Sequence, residues 1–264
     1  MSNLVAILIL GIVQGIAEFL PVSSSGHLAV LGHFFGLKDN SQISIFLHAG
    51  TLLAIIVYYF KQLLAMTKWE SRHAVGLLLL GSVPAGVVGL CLKYSGLNEL
   101  LSSEIAVPAV CFIITGWILL AGMKSGENNI GIKEMRVKHA LLIGLVQAAA
   151  ILPGLSRSGS TIAAAMRCGI KKEDCAEFSF LLSIPAIAGA TLLEIISLVR
   201  KSSFENDYSQ SINLSIGFAV SAVIGYISLT LLVKMLKRGK LQMFAWYLFA
   251  IGAGLLVCRV WSLF

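Results

Sequence analysis

Charged residues are scarce in this chain. Asp, Glu, Lys and Arg make up 12% of its 264 residues, whereas 57% are hydrophobic and the mean hydropathy is +0.88. Water-soluble domains carry roughly twice that share of charge, so the scarcity excludes an ordinary soluble fold. Several apolar runs approach or exceed the roughly 20 residues needed to cross a bilayer. The composition therefore predicts an integral membrane protein.

The chain also lacks patterned cysteines and a recognisable leader. Its five cysteines are scattered, with no metal-ligand spacing, and are best interpreted as small packing residues. The start, MSNLVAILIL, has no basic n-region, and no convincing cleavage site follows, so we expect no cleavable signal peptide. The net charge of +7 is explained better by asymmetric membrane loops than by nucleic-acid binding.

The chain does contain a polar segment that occurs twice in similar form. Residues 11–27 read GIVQGIAEFLPVSSSGH, and residues 144–160 read GLVQAAAILPGLSRSGS; we call them the first and second polar segments. At a constant offset of 133, seven residues of the first reappear in the second: Gly11, Val13, Gln14, Ala17, Ser23, Ser25 and Gly26. The same segments contain Glu18, His27 and Arg157. Ionisable groups at membrane depth cost about 2.5–3.5 kcal/mol on insertion scales, which marks these residues as functional candidates.

Hydrophobic runs outline the architecture. Six are long enough to span: about 43–60, 74–92, 105–123, 178–199, 212–233 and 242–263. Four are short or interrupted: about 2–20, 27–37, 139–155 and 159–170. Each short pair flanks one polar segment, which contains a proline, glycines and serines, so each pair predicts a re-entrant helical hairpin. Broken backbone at that depth must be buried in protein or line a wet cavity.

The two halves of the chain have the same plan. Repeat one covers 1–123 with its hairpin at about 2–37, and repeat two covers 136–264 with its hairpin at about 139–170. Each hairpin is followed by three spans, and three is an odd number, so the second half must insert upside down. We therefore predict an all-α polytopic protein with one membrane domain over 1–264, six spans and an inverted-topology repeat.

The positive charges predict the orientation. Loops at 61–73, 124–138, 167–177 and 234–241 share one side and contain fourteen Lys or Arg residues. The other side has five: Lys38, Lys93, Arg200, Lys201 and Arg259. The side with the excess is expected to be cytoplasmic. Both termini and the first hairpin then lie on the outer face, and the second hairpin enters from the cytoplasm.

The polar segments have the chemistry of an anion site. We expect Ser24 or Ser25 to cap the second helix of the first hairpin, and Ser156 or Ser158 to do so in the second. A helix that starts inside the membrane presents free N–H groups and the positive end of its dipole. Arg157 suits phosphate, because its planar fork binds two oxygens at once. The candidate substrate-binding residues in these segments are Gln14, Ser23, Ser25, Gly26, Ser156, Ser158 and Gly159.

Glu18 argues against simple anion binding, because a carboxylate repels phosphate unless it handles a proton or holds a metal. Gln14 and Glu18 are four residues apart and share one helix face. His27 titrates near neutrality. Together with Arg157 and the serine hydroxyls, these groups match the requirements of phosphoryl transfer.

Simpler interpretations remain open at this point. The serines can be helix caps only, and Gln14 and Gln147 can serve only in interhelical hydrogen bonding. His48, in the third helix, is most simply a packed or hydrogen-bonded histidine. A purely structural pairing of Glu18 with Arg157 is the weakest of these alternatives. Both charges would then be placed in the membrane at a cost in free energy but would have no chemical role.

At these residues the sequence resembles the bacterial undecaprenyl-diphosphate phosphatases, the bacitracin-resistance family. The first family motif appears as QGIAE at 14–18 and PVSSSGH at 21–27, and the second as PGLSRSGST at 153–161. The resemblance extends over the whole chain in length and span order. Gln14 stands at a position where the family has Glu or Gln, and it cannot ionise.

The resemblance implies hydrolysis of undecaprenyl diphosphate to undecaprenyl phosphate and inorganic phosphate, which recycles the lipid carrier for peptidoglycan and other envelope polymers. It implies catalytic roles for Glu18, Ser24, His27 and Arg157, and substrate binding by Ser156 and Thr161. It also implies a divalent cation, Mg²⁺ or Ca²⁺, held by Glu18 and substrate oxygens. Bacitracin would compete for the C55 diphosphate lipid, and abundant enzyme would confer resistance.

The location implied is the bacterial cytoplasmic membrane, with membrane lipid around the protein and an active site that opens outward. A homodimer is left open, and no nucleic acid is expected. Ser24, His27 or water can be the nucleophile. The alternative function is a transporter or flippase for a lipid phosphate or another anion, alone or in addition to hydrolysis, because inverted repeats with broken helices are common in transporters.

Overall fold

A computed structural model describes residues 3–36, 41–95, 104–124, 126, 128–200 and 208–260. The structure is helical throughout these ranges, apart from turns and one isolated bridge between Ile130 and Ile170. The helices are α1 (Asn3–Ala17), α2 (Ser24–Phe34), α3 (Ser41–Tyr58), α4 (Phe60–Met66), α5 (Arg72–Ser95), α6 (Ala106–Met123), α7 (Val137–Ala149), α8 (Arg157–Arg167), α9 (Lys172–Arg200), α10 (Tyr208–Lys237) and α11 (Gln242–Val260). Outside the described residues lie both termini, the predicted hairpin ends at 2 and 37, the last run's end at 261–263, Lys38 and Lys201.

The long helices match the predicted spans. In the described ranges, α5, α6, α9, α10 and α11 are each long and apolar enough to cross a membrane. A sixth candidate is the α3–α4 pair, which bends by 72° at Tyr59. The prediction of an all-α polytopic membrane protein is confirmed. Helix α9 starts six residues before its predicted apolar run, because its charged first turn includes Glu173 and Asp174, which suit a helix N-terminus.

Two helix pairs lie where the hairpins were predicted. Helices α1 and α2 have 15 and 11 residues, and α7 and α8 have 13 and 11. At 1.5 Å per residue none exceeds about 23 Å, less than the ~30 Å hydrocarbon core. No helix of either pair is therefore long enough to cross on its own. Re-entry from opposite faces and the inverted repeat remain predictions.

Each hairpin packs along a span of the other half. Helix α1 lies against α10, where a Cβ added at Gly11 would be 3.2 Å from the carbonyl oxygen of Gly217. Helix α7 lies against α5, where a Cβ at Gly144 would collide with the carbonyl oxygen of Gly81. Gly11 and Gly144 are equivalent residues of the two polar segments. Equivalent residues of the two polar segments therefore make equivalent contacts with the opposite half of the chain.

Aromatic packing fixes the turn between α1 and α2. Phe19 is fully buried, and its ring centroid lies 5.6 Å from that of Phe180 in α9. Phe180 in turn lies 6.4 Å from the ring of Tyr59, at the bend between α3 and α4. Burial of a ring this large anchors the turn, and with it the adjacent Glu18, against the helices around it.

Candidate active site

Helix α2 begins at the serine turn of the first polar segment, one residue earlier than predicted. Ser23 is the N-cap, and its hydroxyl accepts a hydrogen bond from the N–H of Gly26 at 3.4 Å. The prediction of Ser24 or Ser25 as the cap is wrong, because Ser24 is already the first helical residue. Ser23 has a φ of 70°, an unusual backbone conformation for a residue other than glycine. Such strained residues are concentrated at functional sites.

Helix α8 begins at the predicted cap, Ser156, whose hydroxyl accepts from the N–H of Gly159 at 3.1 Å. The caps therefore use the N–H groups of Gly26 and Gly159, which are not free to bind a ligand as backbone donors. In the described part of the chain, four first-turn N–H groups have no hydrogen-bond partner: those of Ser24, Ser25, Arg157 and Ser158. Two donors thus remain at the start of each helix.

The carboxylate of Glu18 is the centre of the site. It is 7% exposed, and its Oε2 accepts hydrogen bonds from Ser24 Oγ at 2.6 Å and from Gln14 Nε2 at 3.1 Å. Its Oε1 pairs with Arg157 Nη2. Gln14, predicted to share a helix face with Glu18, is therefore in direct contact with it, and Ser24 and Arg157 contact the same carboxylate.

The ion pair joins the two polar segments, because Glu18 belongs to the first and Arg157 to the second. Removing two charges from water costs several kcal/mol per ion, and only close pairing with further hydrogen bonds offsets that cost. The Ser24 hydroxyl and the Gln14 amide supply those hydrogen bonds to Glu18. The charges share one explanation, as their positions in the sequence indicated.

Backbone contacts hold the two turns together. The N–H of Gly154 donates to Ser25 Oγ at 3.5 Å, and Ser158 Oγ donates to the carbonyl of Leu20 at 3.4 Å. A Cβ added at Gly26 would lie 2.9 Å from the Cα of Gly154, so only glycine allows this approach. The two polar segments therefore form one composite site.

Several buried polar atoms of the site have no partner within the described residues: Gln14 Oε1 and Arg157 Nη1, and farther along the second hairpin both amide atoms of Gln147 and the hydroxyl of Ser160. A buried donor or acceptor without a partner is costly, and native proteins leave few. At Gln14 and Arg157 these atoms flank the ion pair, one as an acceptor and one as a donor. The centre therefore has an acceptor and a donor available to hydrogen-bond a polar ligand.

Comparison with known proteins identifies the family. Residues 7–254 match the family model described as bacitracin resistance protein BacA. The chain belongs to the BacA family. It is 42% identical to the undecaprenyl-diphosphatase of Rhodopirellula baltica, over 97% of this chain and 98% of that protein. The undecaprenyl-diphosphatases of Carboxydothermus hydrogenoformans and Geotalea daltonii are 38% and 37% identical, over at least 94% of this chain and 96% of each relative.

In this BacA-family chain, His27 lies apart from the Glu18 cluster. Its Nδ1 is 2.7 Å from the carbonyl oxygen of Ser23, and its Nε2 is 2.7 Å from the hydroxyl of Tyr247 in α11. Among the described residues, no hydrogen bond or ion pair joins the imidazole to Glu18, Ser24 or Arg157. The catalytic role predicted for His27 therefore needs movement or an intervening group.

Thr161 also lies apart from the Glu18 cluster. Its side chain is fully buried, and its hydroxyl is 2.8 Å from the carbonyl oxygen of Arg157 and 2.5 Å from the hydroxyl of Ser179 in α9. These contacts fasten α8 to α9 and fix the start of the helix that carries Arg157. The substrate-binding role predicted for Thr161 stays a prediction, and its observed contacts are structural.

His48 of α3 is a member of the site that the sequence interpretation set aside. Its Nδ1 is 2.8 Å from the carbonyl oxygen of Ser44, and its Nε2 is 3.9 Å from Glu18 Oε2. The expectation of a hydrogen-bonded histidine is correct, yet the ring also faces the central carboxylate. An ionisable residue within a span was the available signal. No comparable signal marked Tyr247, an aromatic residue in an apolar helix.

Proposed function

We propose that this chain hydrolyses undecaprenyl diphosphate to undecaprenyl phosphate and inorganic phosphate, and so recycles the lipid carrier for cell-envelope synthesis. The observation that carries the proposal is the buried Glu18–Arg157 pair with Ser24 on the same carboxylate. A carboxylate, a hydroxyl and a guanidinium in contact form a base, a nucleophile and an anion clamp. The names of the relatives support the same substrate.

The second polar segment would bind the diphosphate. Within the described residues, the buried Nη1 of Arg157 has no hydrogen-bond partner, and the neighbouring N–H groups of Arg157 and Ser158 are free at the start of α8. Guanidinium forks and helix N-termini both favour phosphate oxygens. The isoprenoid tail would stay in hydrocarbon, so the headgroup has to be met inside the membrane domain, where these donors lie.

The first polar segment would carry out the displacement. Ser24 Oγ, 2.6 Å from Glu18 Oε2, attacks the terminal phosphorus in line while Glu18 accepts its proton. The bond from Oγ to phosphorus forms as the bond to the bridging oxygen breaks, and undecaprenyl phosphate leaves. Glu18 then gives that proton to the leaving lipid phosphate. Water attacks the phosphoserine, its proton passes through Glu18 or His27 to Oγ of Ser24 as the bond from Oγ to phosphorus breaks, and inorganic phosphate departs.

Two other routes compete with this one. Ser24 can position a water that attacks directly, or His27 can become phosphorylated. Rapid quench of the enzyme with substrate radiolabelled in the terminal phosphate distinguishes the three. We expect label on Ser24; label on His27, or none on the protein, would rule out the serine route.

A divalent cation, Mg²⁺ or Ca²⁺, is part of the proposal. The described residues contain no cluster of three or more His, Cys, Asp or Glu side chains that could hold an ion. Glu18 and the unpartnered Gln14 Oε1 are nevertheless oxygen donors of the kind these ions prefer, and they fit a cation that takes its remaining ligands from substrate and water. When bound, the cation would neutralise charge on the diphosphate.

The setting is proposed to be the bacterial cytoplasmic membrane, with both termini outside and the site open toward the outer face. This follows from the excess of positive charge in the loops predicted to be cytoplasmic. Bacitracin would compete for the diphosphate lipid, and overproduction would raise resistance. Assembly as a homodimer is compatible with these features and can be measured by mass in detergent.

Phosphate release in detergent tests the function. Purified protein is given a defined polyprenyl diphosphate, with and without chelator, beside the Glu18→Ala variant. We expect release by the wild type, loss with chelator and loss in the variant. Detergent abolishes sidedness but not hydrolysis, so an inactive wild type that exchanges lipid phosphate in vesicles would favour transport instead.

A further inference from the structure

The hydrogen bonds of His27 determine where its proton resides. The carbonyl oxygen of Ser23 can only accept, so Nδ1, 2.7 Å away, carries a hydrogen and donates it. In the neutral imidazole the lone pair is then on Nε2, and the hydroxyl of Tyr247 donates to it at 2.7 Å. When Nε2 gains a proton, the same hydroxyl can rotate and accept it. One contact therefore serves both protonation states.

Tyr247 and Phe112 flank the imidazole on neighbouring helices. The His27 ring lies 5.0 Å from Phe112 of α6 and 5.8 Å from Tyr247, with the planes of the latter pair 8° apart. Apart from Tyr247, no charged or titratable side chain contacts the ring within the described residues. The Ser23 carbonyl therefore sets the tautomer of the ring, and the Tyr247 hydroxyl is the polar side-chain group that holds its direction.

His27 is also coupled to the nucleophile proposed above. It is fastened to Ser23, the residue before Ser24, and Ser23 has the strained φ of 70° that starts α2. A ring free to turn would release the Ser23 carbonyl and loosen the start of the helix that presents Ser24. The position of Tyr247 thus affects both the imidazole and the serine.

We propose that Tyr247 is a positioning residue for the reaction, acting through His27. This proposal rests on the proposed phosphatase function. It assigns a role to the last helix, α11, which lies outside the two polar segments. The Tyr247 hydroxyl donates to Nε2 of His27 and holds the ring toward the start of α2. Partners that orient a functional histidine commonly affect function about 10- to 100-fold.

Tyr247→Phe tests the proposal because it keeps the ring and removes the hydroxyl. With a polyprenyl diphosphate in detergent, we expect kcat to fall about tenfold while KM changes less than about twofold. Tyr226→Phe is the matched control: Tyr226 is 44% exposed and Tyr247 45%, and the Tyr226 hydroxyl has no hydrogen bond within the described residues. A kcat for Tyr247→Phe equal to that of Tyr226→Phe would overturn the proposal.

A double-mutant cycle shows whether the effect passes through His27. In a His27→Ala background, Tyr247→Phe should cause no further loss. An undiminished tenfold loss there would mean that Tyr247 acts on something else. Unfolding midpoints measured on all variants exclude a general loss of structure as the cause.

A readout independent of turnover separates this proposal from the proposed function. In protein labelled with ¹⁵N-histidine, the His27 signals are assigned by their loss in His27→Ala. We expect a hydrogen on Nδ1 in the wild type, and in Tyr247→Phe a changed Nε2 resonance, because Nε2 loses the hydrogen bond from the tyrosine hydroxyl. Unchanged His27 signals in that variant would refute the positioning role, whereas an inactive wild type with the expected signals would refute only the phosphatase function.

Discussion

In the first hairpin, the Gln14 amide donates to Glu18, while in the second hairpin neither amide atom of the equivalent Gln147 has a partner among the described residues. The cause lies four residues further along each helix: the residue equivalent to Glu18 is Ile151, which cannot accept a hydrogen bond. The glutamine is present in both hairpins, but its carboxylate partner is present only in the first. Equivalent backbone positions therefore have different chemistry: a proton-handling cluster in one hairpin, and an anion clamp around Arg157 in the other.

The largest effect is expected from Glu18→Gln, which removes the charge of the first hairpin without changing its shape. The variant loses the proposed base and the partner of Arg157, so phosphate release should fall about 10³-fold. Glu104→Gln is the control, because Glu104 pairs with Arg259 at 2.8 Å on an exposed surface, where such pairs contribute little. Near wild-type turnover by Glu18→Gln would show that the first hairpin does not supply the proton-handling group.

Arg157→Lys weakens the clamp of the second hairpin while keeping its charge. A lysine cannot present the planar fork, so kcat/KM should fall about 10²-fold. The matched control is Arg259→Lys, which should leave kcat/KM unchanged. Wild-type kinetics for Arg157→Lys would show that the site needs only a positive charge.

Replacing each glutamine by methionine tests the comparison directly. Gln14→Met removes a hydrogen bond to Glu18 and should lower activity about tenfold. The buried Gln147 amide has no partner in the described part of the chain, and burying it unpaired costs about 1–3 kcal/mol. Gln147→Met removes that cost, so the unfolding midpoint should rise by several degrees with activity retained. Equal losses of activity in the two variants would mean that Gln147 binds the ligand.

The smallest effect concerns packing rather than chemistry. Gly144→Ala forces a Cβ into the carbonyl oxygen of Gly81 and should destabilise the protein by about 1–3 kcal/mol. Gly11→Ala should cost less, because its Cβ would be 3.2 Å from the nearest atom. Gly76→Ala has open space around it and should cost nothing. Midpoints in the reverse order would contradict the packing described for α5 and α7.

Much of the fold was predictable because its signals are local. Spans follow from the length of apolar runs, and the hairpins from short runs on either side of a polar turn. That Glu18 and Arg157 serve one site was predictable from the repeated segments, because the cost of two buried charges in equivalent elements needs a shared explanation. Composition and repetition were sufficient for this part of the site.

The remaining contacts depend on the direction of side chains, which the packing of distant helices decides. His27 turns to Tyr247, 220 residues away, and Thr161 turns to Ser179. His48 faces Glu18 because α3 packs beside α1. The cap at Ser23 depends on a positive φ that is uncommon for serine. None of these features leaves a pattern in the surrounding residues.

The reciprocal packing of the hairpins has a consequence for how the protein is made. Helix α1 packs on α10, and Glu18 pairs with Arg157, so the first hairpin lacks these partners until most of the chain has been synthesised. Until then the charge of the unpaired Glu18 carboxylate has to be stabilised by water or by other membrane proteins. A gene divided between the halves would have to supply both pieces together, since neither contains the whole set of contacts around its own hairpin.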